Sequence, residues 1–303
     1  MNASATCIQI LSTKSSGSSA LQALLCTFAN GRHVQHTRHG EYETLYWTKA
    51  ASVLGLSQVR LPNSEVPIPT ESALRDLRTL ISQNTSGFAL PADNRQLIFE
   101  GWRALCMAHA PVYVEKSPHH LHQWCCLRLM IEAAERLREI DFRFIGLVRN
   151  PMDVLYSAWT RWRLAPETFQ HHWRTAYENL ERLREEVGSR LIVVRYEDFS
   201  DGSRCASGLL RDLGLDALPG ADNFVHGSSR NRLRSDAGYG FQLDGGVMEV
   251  AARFGYTAED LTSHRRLTWP IRRTASRLVQ LAIAQPIALL RRRLRPRISK
   301  PRN

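Results

Sequence analysis

Arg149 and Ser157 stand eight residues apart in FRFIGLVRNPMDVLYSAW, the stretch from Phe142 to Trp159. A guanidinium offers a planar donor fork that suits a phosphate, and a hydroxyl two helical turns further on adds a second donor. A second candidate lies near the N-terminus, where Ser12-Thr13-Lys14-Ser15-Ser16-Gly17-Ser18-Ser19 joins an apolar run to an apolar helix. Backbone N–H groups, hydroxyls and a positive helix end converge there, which makes an anion site. The Walker spacing G-x-x-x-x-G-K-[ST] is absent, so this is not an ordinary nucleotide-triphosphatase loop.

Four short runs rich in apolar residues must place these groups: Cys7 to Leu11, Pro111 to Glu115, Phe144 to Arg149 and Arg190 to Arg195. Their nearly continuous apolar character suits strands buried on both faces of a parallel sheet. Helical periodicity fills the intervals, over 49–56, 71–82, 95–109, 119–138, 166–187, 203–213 and 243–254. The alternation predicts a single α/β domain over 1–264, with a central parallel sheet flanked by helices on both faces and a P-loop-like loop at 12–19. In such sheets ligands bind beyond the strands' carboxyl ends, where Arg149 falls. Asn150 supplies an N-cap oxygen and Pro151 fits the first helical position. Pro151, Val154, Leu155, Ala158 and Trp162 then follow helical spacing toward the core. Residues 57–93, with three prolines between Leu61 and Thr70, read equally as an acceptor-binding lid or as inert surface decoration.

The formal charge of +11 is concentrated at one end. Residues 265–303 carry eleven Arg and one Lys without an acid, while the remaining 264 residues hold 28 basic against 29 acidic side chains. That tail is read as a basic extension, helical or disordered, either in peripheral contact with a membrane or serving only to solubilise the chain. A nucleic-acid arm fits the charge equally well, but Trp269 is the tail's one aromatic, and no specific nucleic acid is expected. The six cysteines form no C-x-x-C pair and predict a reduced, cytoplasmic protein. Nothing resembles a signal peptide, and no stretch approaches the length of a membrane span. His119, His120 and His122 have no further ligand set, so no metal is expected.

Ser16-Gly17-Ser18-Ser19, together with Arg149 and Ser157 downstream, resembles the sulfotransferases that use 3′-phosphoadenosine 5′-phosphosulfate, nearest the heparan-type and bacterial branch. The resemblance spans roughly residues 6–256 as spaced motifs. It implies that Lys14, Ser15, Ser16, Gly17, Ser18 and Ser19 hold the 5′-phosphosulfate. It also implies that Arg149 and Ser157 hold the 3′-phosphate, with Arg230, Arg232 and Arg234 as candidates in a late basic loop. Lys14 departs from the family pattern, standing one position before the usual basic residue. Glu43 with its following aromatics, and Lys116 in Glu115-Lys116-Ser117-Pro118, resemble catalytic positions. Glu43 is the expected proton acceptor, with His39 and Glu41 as rivals, and Lys14 and Lys116 would stabilise the leaving phosphate oxygen. The implied activity is sulfonyl transfer to a hydroxyl or amine of a glycan, lipid or small molecule. The alternatives are a non-catalytic nucleotide-binding protein, a kinase-like phosphotransferase, and a membrane- or nucleic-acid-binding protein acting through its tail.

Overall fold

The computed structural model describes residues 5–61, 64–200, 205–224, 236, 239–263, 268–279 and 282. Five parallel strands form one sheet in the order β2-β3-β1-β4-β5. They are β1 (Ala5–Leu11), β2 (Gly31–Arg32), β3 (Val112–Lys116), β4 (Ile140–Val148) and β5 (Leu191–Arg195). The two-residue β2 is too short to leave an apolar run, which is why the sequence does not announce it.

β1 sits at the centre, pairing with β3 on one side and β4 on the other. Register sets Ile10 beside Lys116 and Leu11 beside Gly146, so the ends of all three strands come together. The chain leaves β1 toward β2 and leaves β4 toward β5, in opposite directions across the sheet. At such a reversal α/β sheets bind ligands beyond the carboxyl ends of the strands.

Helices cover both faces. Ile8, Ile10, Val114, Ile145 and Leu147 pack against Leu21, Leu24 and Leu25 of α1 (Ser18–Phe28) and against Leu209 and Leu210. On the other face, Trp102 of α4 (Asn94–Ala108) lies 5.3 Å from the Tyr113 ring. There too, any side chain at Gly146 would collide with Leu180. A parallel sheet buried on both sides is the expected architecture for strands this apolar.

The chain divides into two compact units. Residues 1–148 and 176–226 form the first, which contains the whole sheet. Residues 149–175 and 227–303 form the second. In the second unit Asn150 caps α6 (Pro151–Trp162) by accepting from Met152 N–H at 2.8 Å, as its sequence predicts. Its core is aromatic: Trp269 lies 4.7 Å from Tyr239 and 5.1 Å from Trp159.

Three expectations need correction. Trp162 does not face the core. It is 47% exposed, because the last helical turn ends at Arg163, whose φ is positive, and Trp159 takes the buried position one turn earlier. The crossover helix does not begin at His119. His120–His122 form a 3-10 turn, and α5 runs from Trp124 to Arg136. The break has a tertiary cause, since Gln123 donates to Val59 O and accepts from Val59 N–H, each at 2.7 Å. That pair holds Gln123 in extended backbone. The expected helix at 49 starts earlier, as α2 (Tyr46–Val53), while the helix expected over 71–82 is present as α3 (Thr70–Asn84).

Candidate active site

The loop after β1 is built to stay rigid. Ser12, Thr13 and Ser16 are fully buried, and Thr13 Oγ1 lies 2.7 Å from Ser16 Oγ. Ser16 also reaches the Tyr177 hydroxyl at 3.4 Å, and that hydroxyl donates to Leu147 O at 2.9 Å, tying the loop to β4. Gly17 has φ +90°, and a Cβ there would lie 2.3 Å from Tyr196 ring carbons, so only glycine fits. Gly17 caps α1 without a side chain, and no acid occupies the first turn. The helix start therefore presents its N–H groups and positive dipole end to any anion.

Lys116 ends β3 with its side chain only 1% exposed. Its Nζ donates to Ser19 Oγ at 3.0 Å and to Glu41 Oε2 at 3.3 Å, and lies 3.5 Å from Glu43 Oε1. Ser19 Oγ in turn donates to Glu41 Oε2 at 2.5 Å. The first turn of α1, the end of β3 and the 40–43 segment thus meet at one buried ammonium. Lys14 is half-buried in the loop, and its charge acts on both Glu43 and His119.

Burial pushes the Glu43 carboxyl above the ordinary carboxylate range, against the downward pull of Lys116 and Lys14 and with help from Glu41 and Glu115. His119 Nδ1 stands 3.9 Å from Glu43 Oε2. Burial first, and then the Lys14 charge, drive the His119 pKa well below normal, so the ring is neutral and this approach is not an ion pair. His39 does not join the cluster on Lys116: its Nδ1 pairs with Glu65 at 2.9 Å, and burial lowers its pKa.

Buried polar groups behind Glu43 and Lys116 fix these two residues through their sequence neighbours. Thr44 Oγ1 and Ser117 Oγ donate to Glu115 Oε1 at 2.7 and 2.5 Å. Leu45 N–H donates to Ser117 Oγ at 3.0 Å, and Lys49 Nζ donates to Thr44 O at 2.7 Å. His120 Nε2 accepts from Trp47 N–H at 3.2 Å, which leaves the ring proton on Nδ1, 3.5 Å from Glu115 Oε2. Burial alone would raise the Glu115 carboxyl, but the His120 ring and the Ser117 and Thr44 hydroxyls outweigh it and hold the carboxyl down. Thr44, Lys49 and Tyr177 escaped the sequence reading as site residues, and Glu115 entered it only as a member of its tetrad. Only the Glu115-Lys116-Ser117-Pro118 tetrad carried a signal; Lys49 looks like any helix lysine.

Of the other expected residues, Arg149 directly follows β4 and is 4% exposed, and Ser157 is half-buried on α6. Both belong to the second unit. Arg230, Arg232 and Arg234 lie outside the described residues. Among the described residues no group of three or more His, Cys, Asp or Glu side chains is arranged to hold a metal ion.

The donor set fits an oxyanion, because Lys116 Nζ and Ser19 Oγ already hold a carboxylate at the open start of a helix. Comparison with known proteins agrees with that chemistry. A model of the sulfotransferase family matches residues 8–217. The sulfotransferase domain of the Synechococcus PCC 7002 olefin synthase has a similar fold, with a TM-score of 0.52 at 20% identity over 85% of this chain and 97% of that one. No curated protein matches the sequence.

Proposed function

The chain belongs to the sulfotransferase family, and we propose that it moves a sulfonyl group from 3′-phosphoadenosine 5′-phosphosulfate to an acceptor hydroxyl or amine. The observation that carries this reading is the convergence of Lys116, Ser19, Glu41 and Glu43 at the start of α1. When bound, the donor supplies the sulfonyl group and the phosphate that leaves from it.

In this reading the backbone of Ser16 to Ser19, with Lys14, holds the phosphosulfate end. Lys116, buried and therefore poorly screened, stabilises charge that develops on the bridging oxygen. Glu43 accepts the acceptor's proton. Burial raises its pKa above the ordinary carboxylate range, which makes it a stronger base. Glu43 is preferred to its rivals because Glu41 is engaged by Ser19 and His39 by Glu65. Arg149 and Ser157 are assigned to the 3′-phosphate on the sequence spacing they share with the family motif. Arg230, Arg232 and Arg234 remain candidates for the same phosphate.

The acceptor is a carbohydrate, lipid or small molecule. We take 1–264 as the catalytic region and 265–303 as a basic extension that touches membranes peripherally, in a cytoplasmic protein. Within that extension Trp269–Val279 is helical, and Ile271 and Leu278 are 72% and 61% exposed. Among the described residues no helix is long and apolar enough to cross a membrane.

Calorimetric titration with 3′-phosphoadenosine 5′-phosphate tests the donor half of this reading, and binding in the micromolar range or tighter is expected. Transfer of labelled sulfate from the donor to a panel of lipids, glycans and phenols tests the other half. A protein that ignores the nucleotide is not this enzyme. One that binds the nucleotide but transfers to nothing is a non-catalytic binding protein.

A further inference from the structure

We propose that Glu41 sets the affinity for the donor: its carboxylate occupies the anion position at the start of α1 and must leave when the phosphosulfate arrives. The inference rests on the donor reading above and deepens it.

Glu41 Oε2 accepts from Ser19 Oγ at 2.5 Å and from Lys116 Nζ at 3.3 Å. Those are the donors that the phosphosulfate would use. A helix start with a side-chain-free cap and no acid of its own attracts negative charge. Here that charge comes from a residue 22 positions further along the chain. A phosphosulfate on the same two donors would bring like charges into hydrogen-bond range, so both anions cannot stay.

The segment carrying Glu41 is suited to leaving. Glu41 and Tyr42 have φ of 55° and 60°, two consecutive non-glycine residues in the left-handed region, where a Cβ crowds the backbone. The Glu41 side chain is 50% exposed, so it can swing into water without opening the core. Glu43 differs on both counts: its side chain is 19% exposed and its backbone is extended. It stays beside Lys116 as Glu41 departs. The two carboxylates therefore divide the work, one holding the anion position and the other facing the acceptor. An incoming anion must outcompete a tethered carboxylate, which selects against singly charged anions.

The test compares wild type, Glu41→Gln and Glu41→Ala by calorimetric titration with 3′-phosphoadenosine 5′-phosphate, and by steady-state kinetics with the phosphosulfate donor. Both variants are expected to bind the nucleotide roughly tenfold more tightly, the scale of a partly exposed charge-assisted hydrogen bond, and to show a lower KM for the donor. Should Glu41→Ala lose stability, Glu41→Gln carries the comparison, since its amide can still meet Ser19. Equal or weaker binding by the variants, beside a wild type that binds, overturns the placeholder role and leaves the donor reading intact. A fall in kcat at unchanged donor affinity also overturns it, making Glu41 the proton acceptor. Binding by the variants but not by wild type supports it strongly. Binding by none of the three overturns the donor reading, and this inference with it.

Discussion

Thr44 Oγ1 donates to Glu115 Oε1 at 2.7 Å, joining the residue after Glu43 to the residue before Lys116. The bond is buried, and it links positions 71 residues apart in the chain. It explains why Glu43 and Lys116 face each other at 3.5 Å although neither is held by the other alone. A site built this way is preorganised, with its dipoles set before substrate arrives.

Glu43→Gln should separate activity from stability. Loss of a general base typically costs about 10²–10⁴ in kcat. Nucleotide affinity should persist. Burial raises the Glu43 pKa, so the native state holds that proton more tightly than the unfolded chain does. The contribution to stability is then complete below the ordinary carboxylate pKa and is lost as pH rises through the raised one. At neutral pH the neutral amide should therefore melt at a temperature equal to or above that of wild type. For the same reason the acidic limb of the wild-type kcat profile should lie above the ordinary carboxylate pKa. Full activity in Glu43→Gln would move the base role to Glu41 or His39.

Arg149→Ala should weaken binding of 3′-phosphoadenosine 5′-phosphate by about ten- to a hundredfold, the value of one charge-assisted phosphate contact of roughly 1.5–3 kcal/mol. A nucleotide lacking the 3′-phosphate should bind wild type and variant equally. Equal losses with both nucleotides would show that Arg149 does not read the 3′-phosphate.

Lys49 predicts a stability change at high pH. Burial lowers its pKa from 10.5 to about 8, so between those values the unfolded chain binds more protons and stability rises with pH. From pH 8 to 10 the gain should be roughly 2 kcal/mol, and it should vanish in Lys49→Met. Burial raises the pKa of Tyr46, Tyr113 and Tyr177, which lose stability as pH rises. The quantity to read is therefore the difference between wild type and variant in denaturant titrations. A parallel pH dependence in the two proteins would refute the shift.

Gly17→Ala should damage the loop and the fold together. A methyl 2.3 Å from the Tyr196 ring must displace one or the other, at a φ that L residues avoid. Thermal melting should show destabilisation and calorimetry weaker nucleotide binding. Tyr196→Ala in the same background should recover part of the binding loss by making room for the methyl. A double variant no better than Gly17→Ala would place the strain in the backbone alone.

Much of the molecule was legible before its tertiary structure. Apolar runs located β1, β3, β4 and β5, since a strand buried on both faces has little choice of residue. Asn150 and Pro151 marked the start of α6, because capping chemistry is local. The loop from Ser12 to Ser19 and the strand-end Lys116 were visible as residue types at strand termini, and they lead to the family to which the chain belongs. Sequence ranked Glu43 ahead of His39 and Glu41 only through its likeness to the family, because one turn of backbone can aim three polar residues within five positions anywhere. Tertiary structure separated them by partners distant in sequence: Glu65 takes His39, Ser19 takes Glu41, and Glu43 lies against Lys116. The same holds for Trp162 and His119, whose places depend on Trp159 and on the bond between Gln123 and Val59. Local propensity sets where elements begin and end, whereas burial and pairing across the sheet decide which side chain meets which charge.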